Sequence, residues 1–268
     1  MNKAALTGRF AVGDAACVLP HIRGVATGAA WTMLPISNQL LAALPRAALR
    51  DILPVLAPVT LALGDVLHQP GQPLRHVYFP LTCLVSLIVV VEDQLALEVA
   101  LVGREGVVGV SLVLGAGLSP VRAVVQGAGS ALRVTKAALL TALRGHAPLR
   151  NVLQRYANTL IGEIARTAGC NRFHLLEARL ARWLLMTRDR MGSADFRMTQ
   201  EFLSTMLGVR RVGISDAASS FQRRHLIEYS RGHITILDHE GLEAASCSCY
   251  AHDAADALAL PAWRPAGG

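Results

Sequence analysis

The architecture of this chain follows from Met198–Leu237, which reads MTQEFLSTMLGVRRVGISDAASSFQRRHLIEYSRGHITIL. Thr199 predicts the N-cap of a first helix, because its hydroxyl can accept a hydrogen bond from a free backbone N–H of the first turn. Apolar residues then recur at the spacing of one helical face: Phe202, Leu203, Met206 and Leu207. Gly208 follows, and glycine tolerates the positive φ and the close approach that a tight turn between two helices requires.

A second helix is predicted after this turn, with one apolar and one polar face. The residues expected to point inward are Val212, Ile214, Ala217, Ala218 and Phe221, and those expected to face solvent are Arg210, Arg211, Ser215 and Ser219. Ile227–Tyr229 and His233–Leu237 then alternate as two strands around a hairpin turn at residues 230–232. The stretch therefore predicts a helix-turn-helix followed by a two-stranded wing.

This pattern favours DNA binding. An α-helix fits the major groove, and the residues at its N-terminal end reach the base edges. Arginine reads guanine and also clamps phosphate, and Arg210 and Arg211 stand at the start of the second helix. The alternative is a three-helix core element with a solvated basic face.

The distribution of charge agrees with a polyanionic partner. The 268 residues are 52% apolar and 17% charged, which is typical of a globular protein with room for two small domains and excludes a disordered chain. Of the formal net charge of +7, Arg150–Met191 carries +5 and Arg197–His233 carries +3, so the remainder is about −1. A partner such as DNA would therefore be engaged by the C-terminal half.

Other features predict a cytoplasmic protein with no membrane partner. The longest apolar run, Leu81–Val91, has 11 residues and is too short to cross a bilayer. Asp14 interrupts the apolar segment that a secretory signal would need. The five cysteines are dispersed and predict free thiols in a reducing compartment: Cys17, Cys83, Cys170, Cys247 and Cys249.

The N-terminal half has a different pattern. Residues 1–35 show no clear period and are expected to form a loosely ordered leader, and Ser37–Ile52 predicts a helix capped by Ser37 and ended by Pro54. Short apolar runs separated by turn signals follow, and they predict an antiparallel β-roll. The runs are Val59–Leu63, Val66–His68, His76–Phe79, Leu84–Val91, Leu95–Val102, Ser111–Leu114, Val121–Gln126 and Ser130–Val134.

Helical spacing returns at Lys136–Arg144, and Leu149–Ala168 predicts a longer helix that ends at Gly169. A narrow apolar stripe follows this longer helix: Leu149, Val152, Leu153, Tyr156, Leu160 and Ile164. Such a stripe is typical of a coiled-coil seam between two chains. The alternative is a helix packed on its own β-roll. A further helix is predicted at Phe173–Met191.

Five motifs, in this order, resemble the Crp/Fnr transcription regulators. They are VYFP at Val77–Pro80, VGREGVVG at Val102–Gly109, RLARWLL at Arg179–Leu185, TQEFLSTMLGVRR at Thr199–Arg211 and HITILDHEGLE at His233–Glu243. The resemblance covers residues 36–250 and implies an α+β chain. The expected parts are a cyclic-nucleotide-binding-like β-roll at 36–146, a long dimerisation helix at 147–172, a winged helix-turn-helix at 173–250 and a tail at 251–268.

The resemblance also implies a homodimer that binds double-stranded DNA at a near-palindromic site, with RNA polymerase as a further partner. Thr199 and Gln200 fall where the family contacts phosphate. Arg210, Arg211 and Val212 fall at the base-reading start of the second helix, with Ser215 and Asp216 one turn further on and Arg231 in the wing. The implied dimer contacts are Leu149, Leu153, Tyr156, Leu160 and Ile164. Val212 and Asp216 replace a glutamate and an arginine of the family pattern, so the target sequence should differ.

The expected sensor site departs from the family pattern. Cyclic-nucleotide binding in the family needs a Gly-Glu pair for a ribose hydroxyl and an arginine for the phosphate, since a buried hydroxyl and a buried anion each require a partner. Residues 110–114 contain no carboxylate, and Glu105 is expected to make a turn contact instead. Arg122 is the nearby cation and the candidate ligand-binding residue. We therefore expect an effector other than cyclic AMP.

No cofactor or metal is expected. Cys17 has no neighbouring cysteines for an N-terminal iron–sulfur cluster, and His68 and His76 are weak candidates for haem ligands because loop histidines are usually solvated. Cys170, Cys247, Cys249 and His252 suggest a metal only weakly, with free surface thiols as the simpler interpretation. Enzyme motifs such as a Walker loop, G-x-S-x-G or HExxH are not found, so an enzyme is not predicted. The alternative to a regulator is an allosteric module that binds a cyclic nucleotide or another small ligand and whose C-terminal half contacts a protein partner.

Overall fold

The computed structural model describes residues 37–91 and 95–259. The predicted leader at 1–35 lies outside the described residues. The first predicted helix is split into α1 (Gln39–Ala42) and α2 (Arg46–Ile52), because Pro45 disfavours a helical conformation at the residue before it and has no N–H to donate. Asn38, not Ser37, caps α1 by accepting from the Leu41 N–H at 3.2 Å.

The N-terminal half is the predicted antiparallel β-roll. In the described chain it has two sheets, with strand orders β1-β7-β3 and β2-β6-β4-β5. The strands are β1 Ala57–Leu61, β2 Val66–His68, β3 His76–Pro80, β4 Leu84–Val91, β5 Leu95–Val102, β6 Arg122–Gly127 and β7 Gly129–Thr135. The strand predicted at Ser111–Leu114 is wrong. Val110–Leu112 is a 3₁₀ turn that follows Gly109. The φ of Gly109 is 98°, a value that glycine adopts readily and other residues rarely do.

Helix α3 (Lys136–Gly145) leads into α4 (Ala147–Phe173), which has 27 residues. The break predicted at Gly169 is wrong, because a helical glycine costs only about 1 kcal/mol and the buried side chain of Cys170 packs in this turn. The helix ends where His174 takes an extended conformation, with φ −102° and ψ 145°.

The predicted dimer stripe faces the interior of the described chain. Its residues share one apolar core with the β-roll: Leu149, Val152, Leu153, Tyr156 and Leu160 are buried there, and Ile164 packs against it. The structure thus corrects the assignment of these side chains to a seam between two chains. It confirms the alternative, a helix packed on its own β-roll.

The C-terminal half is a winged helix with a second apolar core, to which Leu84 and Leu101 of the β-roll also contribute. Its elements are α5 Leu176–Met191, β8 Asp195–Arg197, α6 Gln200–Leu207, α7 Arg211–Arg223, β9 Ile227–Ser230, β10 His233–Ile236, α8 His239–Ala245 and α9 Cys249–Ala259. The wing gains a strand that was not predicted, because β8 pairs with β10 to give the order β8-β10-β9.

The predicted tail after Tyr250 begins inside a helix. Helix α9 docks on α4 and α5 through Asp253, whose buried carboxylate accepts from Arg166 Nε at 2.9 Å and from Arg182 Nε at 2.8 Å. No helix in the described part of the chain is long and apolar enough to span a membrane.

Buried polar contacts join the β-roll to α4 and α5. Arg190 on α5 donates to Glu105 at 2.9 Å and to Glu163 on α4 at 3.1 Å. Trp183, also on α5, donates to Glu98 on β5 at 2.7 Å. These contacts place the winged helix against the outer face of the β4–β5 hairpin.

Candidate nucleic-acid interface

The N-terminus of α6 is built as the sequence predicted. The Thr199 hydroxyl accepts from the Phe202 N–H at 3.1 Å, and Gln200 and Glu201 occupy the first turn. The remaining free N–H groups and the positive end of the helix dipole suit a phosphate oxygen.

The turn between α6 and α7 requires glycine for two reasons. Gly208 has a φ of 63°, and a Cβ at this position would lie 2.9 Å from Leu97 Cδ1 of β5. Arg179 on α5 donates to the Leu207 carbonyl in the last turn of α6. These contacts fix where α7 begins.

Helix α7 presents a polar face to solvent. Its buried residues are Ile214, Ala217, Ala218 and Phe221, as predicted. Val212 was expected to point inward, but its side chain is 63% exposed. The reason is geometric: Val212 precedes Ile214 by two residues, which places it about 200° around the helix from that buried position. An exposed valine therefore lies beside Arg211 at the start of the helix.

A groove lies between the start of α6, the outer face of α7 and the wing. Four of the predicted DNA-contact residues line it: Thr199, Gln200, Arg211 and Arg231. It is also lined by Ser219, Gln222 and Tyr229, which were not among the predicted contacts. The helical spacing of Gln222, three turns after Arg211, could have identified it. Arg210, Val212, Ser215 and Asp216 lie on α7 or at its N-cap, outside this groove lining.

The wing turn places Arg231 at the edge of this groove. Arg231 and Gly232 have φ values of 50° and 77°, the two positive values of a type I′ hairpin turn. Tyr229 ties the wing to the entry of α6 by donating its hydroxyl to the Met198 carbonyl at 2.8 Å. Burial raises the pKa of the Tyr229 phenol, and the positive charge of Arg211 acts in the opposite direction.

The arginines of this surface are exposed: Arg210, Arg211, Arg223, Arg224 and Arg231. Within residues 37–91 and 95–259, none of them forms an ion pair. Because their charge is not neutralised by carboxylates in the described chain, the surface suits the phosphates of a nucleic acid.

The sequence profile of the Crp-like helix-turn-helix domain matches residues 178–245. These residues are a Crp-like helix-turn-helix domain. The match spans most of α5, both helices of the motif, the wing and α8.

Solved structures with the same fold cover most of the chain. A Crp/Fnr family regulator from Eubacterium rectale is 18% identical, with a TM-score of 0.61, and the match covers 77% of this chain and 96% of that one. FixK2 from Bradyrhizobium japonicum is 15% identical, with a TM-score of 0.63 and coverage of 72% and 98%. A Crp/Fnr family regulator from Thermus thermophilus is 21% identical, with a TM-score of 0.56 and coverage of 71% and 98%. The chain thus contains a Crp-like helix-turn-helix domain and shares its fold with Crp/Fnr family regulators. No curated protein matches it in sequence.

The β-roll half of the chain differs from the expected cyclic-nucleotide pattern in its contacts. Glu105 is buried, and its Oε1 accepts from the Gly103 N–H and from Arg190, both at 2.9 Å, which confirms the expected turn contact. Arg122 is half-buried on β6, and its Nε has no hydrogen-bond partner within the described chain. Arg122 therefore remains the candidate for an anionic effector.

The structure shows the surroundings of His68, one of the two histidines considered as haem ligands. His68 is buried, not solvated as expected, and its Nε2 lies 2.9 Å from the His76 carbonyl oxygen. Burial lowers the pKa of His68, which favours the neutral ring with an N–H donated to that carbonyl. A nitrogen engaged in this way is not presented to a ligand.

Proposed function

We propose that the protein binds double-stranded DNA in a sequence-specific manner, with α7 in the major groove and the wing and the α6 N-terminus on the backbone. The observation that carries the proposal is the groove in which Thr199, Arg211 and Arg231 meet. Phosphate contacts from two sides of a helix fix its register on the duplex, and residues at its N-terminal end then reach base edges.

Base recognition in this proposal comes from the first two turns of α7. Arg211 is suited to the two acceptors of guanine, and the exposed Val212 to the methyl group of thymine. Asp216 is exposed one turn on and can accept from the amino group of cytosine. The combination differs from the glutamate and second arginine of the family pattern, so a different operator is expected.

The proposed homodimer uses the exposed face of α4. Asn158, Ile161, Ala165 and Ala168 recur at helical spacing and form an exposed stripe opposite the core-facing one, with Ile161 57% exposed. Steps that alternate between three and four residues are the spacing of a coiled-coil seam, and alanine allows two helices to approach closely. Two chains paired in this way present two α7 helices to a near-palindromic site.

The proposed effector is not cyclic AMP, because Glu105 is engaged by Arg190 and residues 110–114 offer no carboxylate for a ribose. The proposed protein partner of the chain during regulation is RNA polymerase. The unpaired arginines favour DNA over a protein as the partner of the C-terminal half. Such a protein shares a compartment with the chromosome, which accords with the predicted cytoplasmic location.

The experiment is selection from a pool of random DNA duplexes, followed by sequencing, at two salt concentrations. We expect an enriched palindrome with half-sites one helical turn apart, roughly 34–36 Å. Binding should weaken steeply with salt, since each neutralised phosphate releases counterions. Retention of DNA without any enriched sequence, in the presence and absence of a cell extract that supplies effectors, would contradict the proposal.

A further inference from the structure

Three cysteines and a histidine converge at the junction between α4 and the C-terminal helices. Cys170 lies in the last turn of α4 and His174 follows its end, whereas Cys247 precedes α9 and Cys249 is its first residue. One ligand atom from each of the four residues lies within 4.8 Å of all the others. The Sγ atoms of Cys170 and Cys247 are 3.5 Å apart, and Cys249 Sγ is 3.7 Å from His174 Nδ1.

This cluster corrects two expectations from the sequence. The thiols are not on the surface, because Cys170 and Cys247 are buried and Cys249 is half-buried. The histidine that joins them is His174, four residues after Cys170, whereas the expected His252 is exposed and lies outside the group. The cysteines are free thiols, since 3.5 Å is far longer than the roughly 2.05 Å of a disulfide bond.

The chemistry and the spacing both fit zinc. Three thiolates and one imidazole nitrogen are a common ligand set for structural zinc. Ligands placed about 2.0–2.3 Å from a tetrahedral centre lie roughly 3.3–3.8 Å from one another, which agrees with the two distances above. An iron–sulfur cluster would interpose several iron and sulfide atoms between the ligands, and the described group is too compact for that.

The surroundings offset the charge that such a site would carry. Three thiolates and a divalent cation have a net charge of −1. The side chains of Arg179 and Arg182 line the same small cavity as Cys170, and each guanidinium supplies positive charge there. The two ligands at the end of α4 are linked through the backbone, because the His174 N–H donates to the Cys170 carbonyl at 3.1 Å.

We propose that Cys170, His174, Cys247 and Cys249 bind one zinc ion per chain. The ion would tie the end of α4, where the chain passes into the winged helix, to the start of α9. Metal loading would therefore stabilise the junction between the sensor half and the helix-turn-helix domain. This inference does not depend on the proposed DNA target.

The test is metal binding by the full chain after reduction and removal of metal. Titration with Co²⁺ should give the thiolate charge-transfer and ligand-field bands of tetrahedral cobalt, with saturation at one ion per chain, and Zn²⁺ should displace it. Zn²⁺ should also raise the melting temperature, because a ligand bound only to the folded state stabilises it. His174→Ala should weaken zinc affinity by more than the roughly 10–100-fold that loss of an outer-shell partner costs.

Two control variants separate this site from other thiols and histidines. Cys83→Ala removes a buried thiol of the β-roll core, and His252→Ala removes the exposed imidazole near the cluster. Both should retain the cobalt spectrum and the zinc affinity. The proposal is overturned if the reduced, folded chain binds no metal, if His252→Ala removes binding while His174→Ala keeps it, or if the ion has the octahedral spectrum of non-thiolate ligands.

Discussion

The Trp183 indole donates its N–H to the Glu98 carboxylate at 2.7 Å, and this contact joins α5 of the winged helix to β5 of the β-roll. Both residues are buried, and Glu98 Oε2 has no hydrogen-bond partner within the described chain. Burial raises the pKa of Glu98 to about 7, with smaller opposing effects from the nearby Ser86 hydroxyl and the Trp183 N–H. The contact between the two halves is therefore sensitive to pH.

We predict that Glu98→Gln removes part of the pH dependence of stability. A carboxyl whose pKa is raised on folding contributes stability that is present below its unfolded value, about 4.5, and is lost as the pH rises through 7. The raised pKa corresponds to at most about 3 kcal/mol. Urea unfolding of both proteins from about pH 5 to pH 8 should show the wild type losing stability relative to the variant. A constant difference across this range would contradict the assignment.

Adjacent substitutions on α4 should have different effects. Ile161→Asp places a carboxylate on the exposed stripe and should dissociate the dimer while the monomer stays folded. Leu160→Asp places the same group in the buried core and should destabilise the fold itself, because an unpaired buried charge is costly. Sedimentation velocity and circular dichroism distinguish the two outcomes. An Ile161→Asp protein that still sediments as a dimer would show that the second chain contacts another face.

Arg231→Asn should weaken DNA binding to all sequences alike. Asparagine tolerates the positive φ of this position, so the variant removes the charge without adding strain to the wing turn. If Arg231 contacts a phosphate, the slope of log K against log salt should decrease by about 1. Arg75→Asn is the matched control, since Arg75 is exposed on the β-roll. Equal salt slopes for the two variants would remove Arg231 from the interface.

Local features of the sequence were sufficient to predict much of the fold. Thr199 caps α6 and Gly208 takes a positive φ as expected, because caps and tight turns depend on residues only a few positions apart. Most strands of the β-roll were also found, since alternation and turn signals act within single strands. The Ser111–Leu114 error arose where a short apolar run carries no period that distinguishes a strand from a turn.

Features that depend on contacts distant in sequence were not predictable. The apolar stripe of α4 is real, but its spacing cannot tell whether the β-roll or a second chain covers it. The grouping of His174 with Cys247 depends on how α9 docks on α4, and Asp253, which helps to fix that docking, has no local signature. Val212 was misassigned because an apolar residue at the start of a helix was taken for part of the buried face.

The most direct measurement compares the sequence preferences of Arg211→Ala and Arg224→Ala with those of the wild type, by parallel selection from the same random duplex pool. Arg224 is an exposed arginine at the opposite end of α7 and serves as the control. We expect Arg211→Ala to lose the preference at one base pair of each half-site, at a cost of about 1–3 kcal/mol for the best site, whereas Arg224→Ala should keep the wild-type preferences. Unchanged preferences for Arg211→Ala, or the same loss for both variants, would contradict recognition through the start of α7.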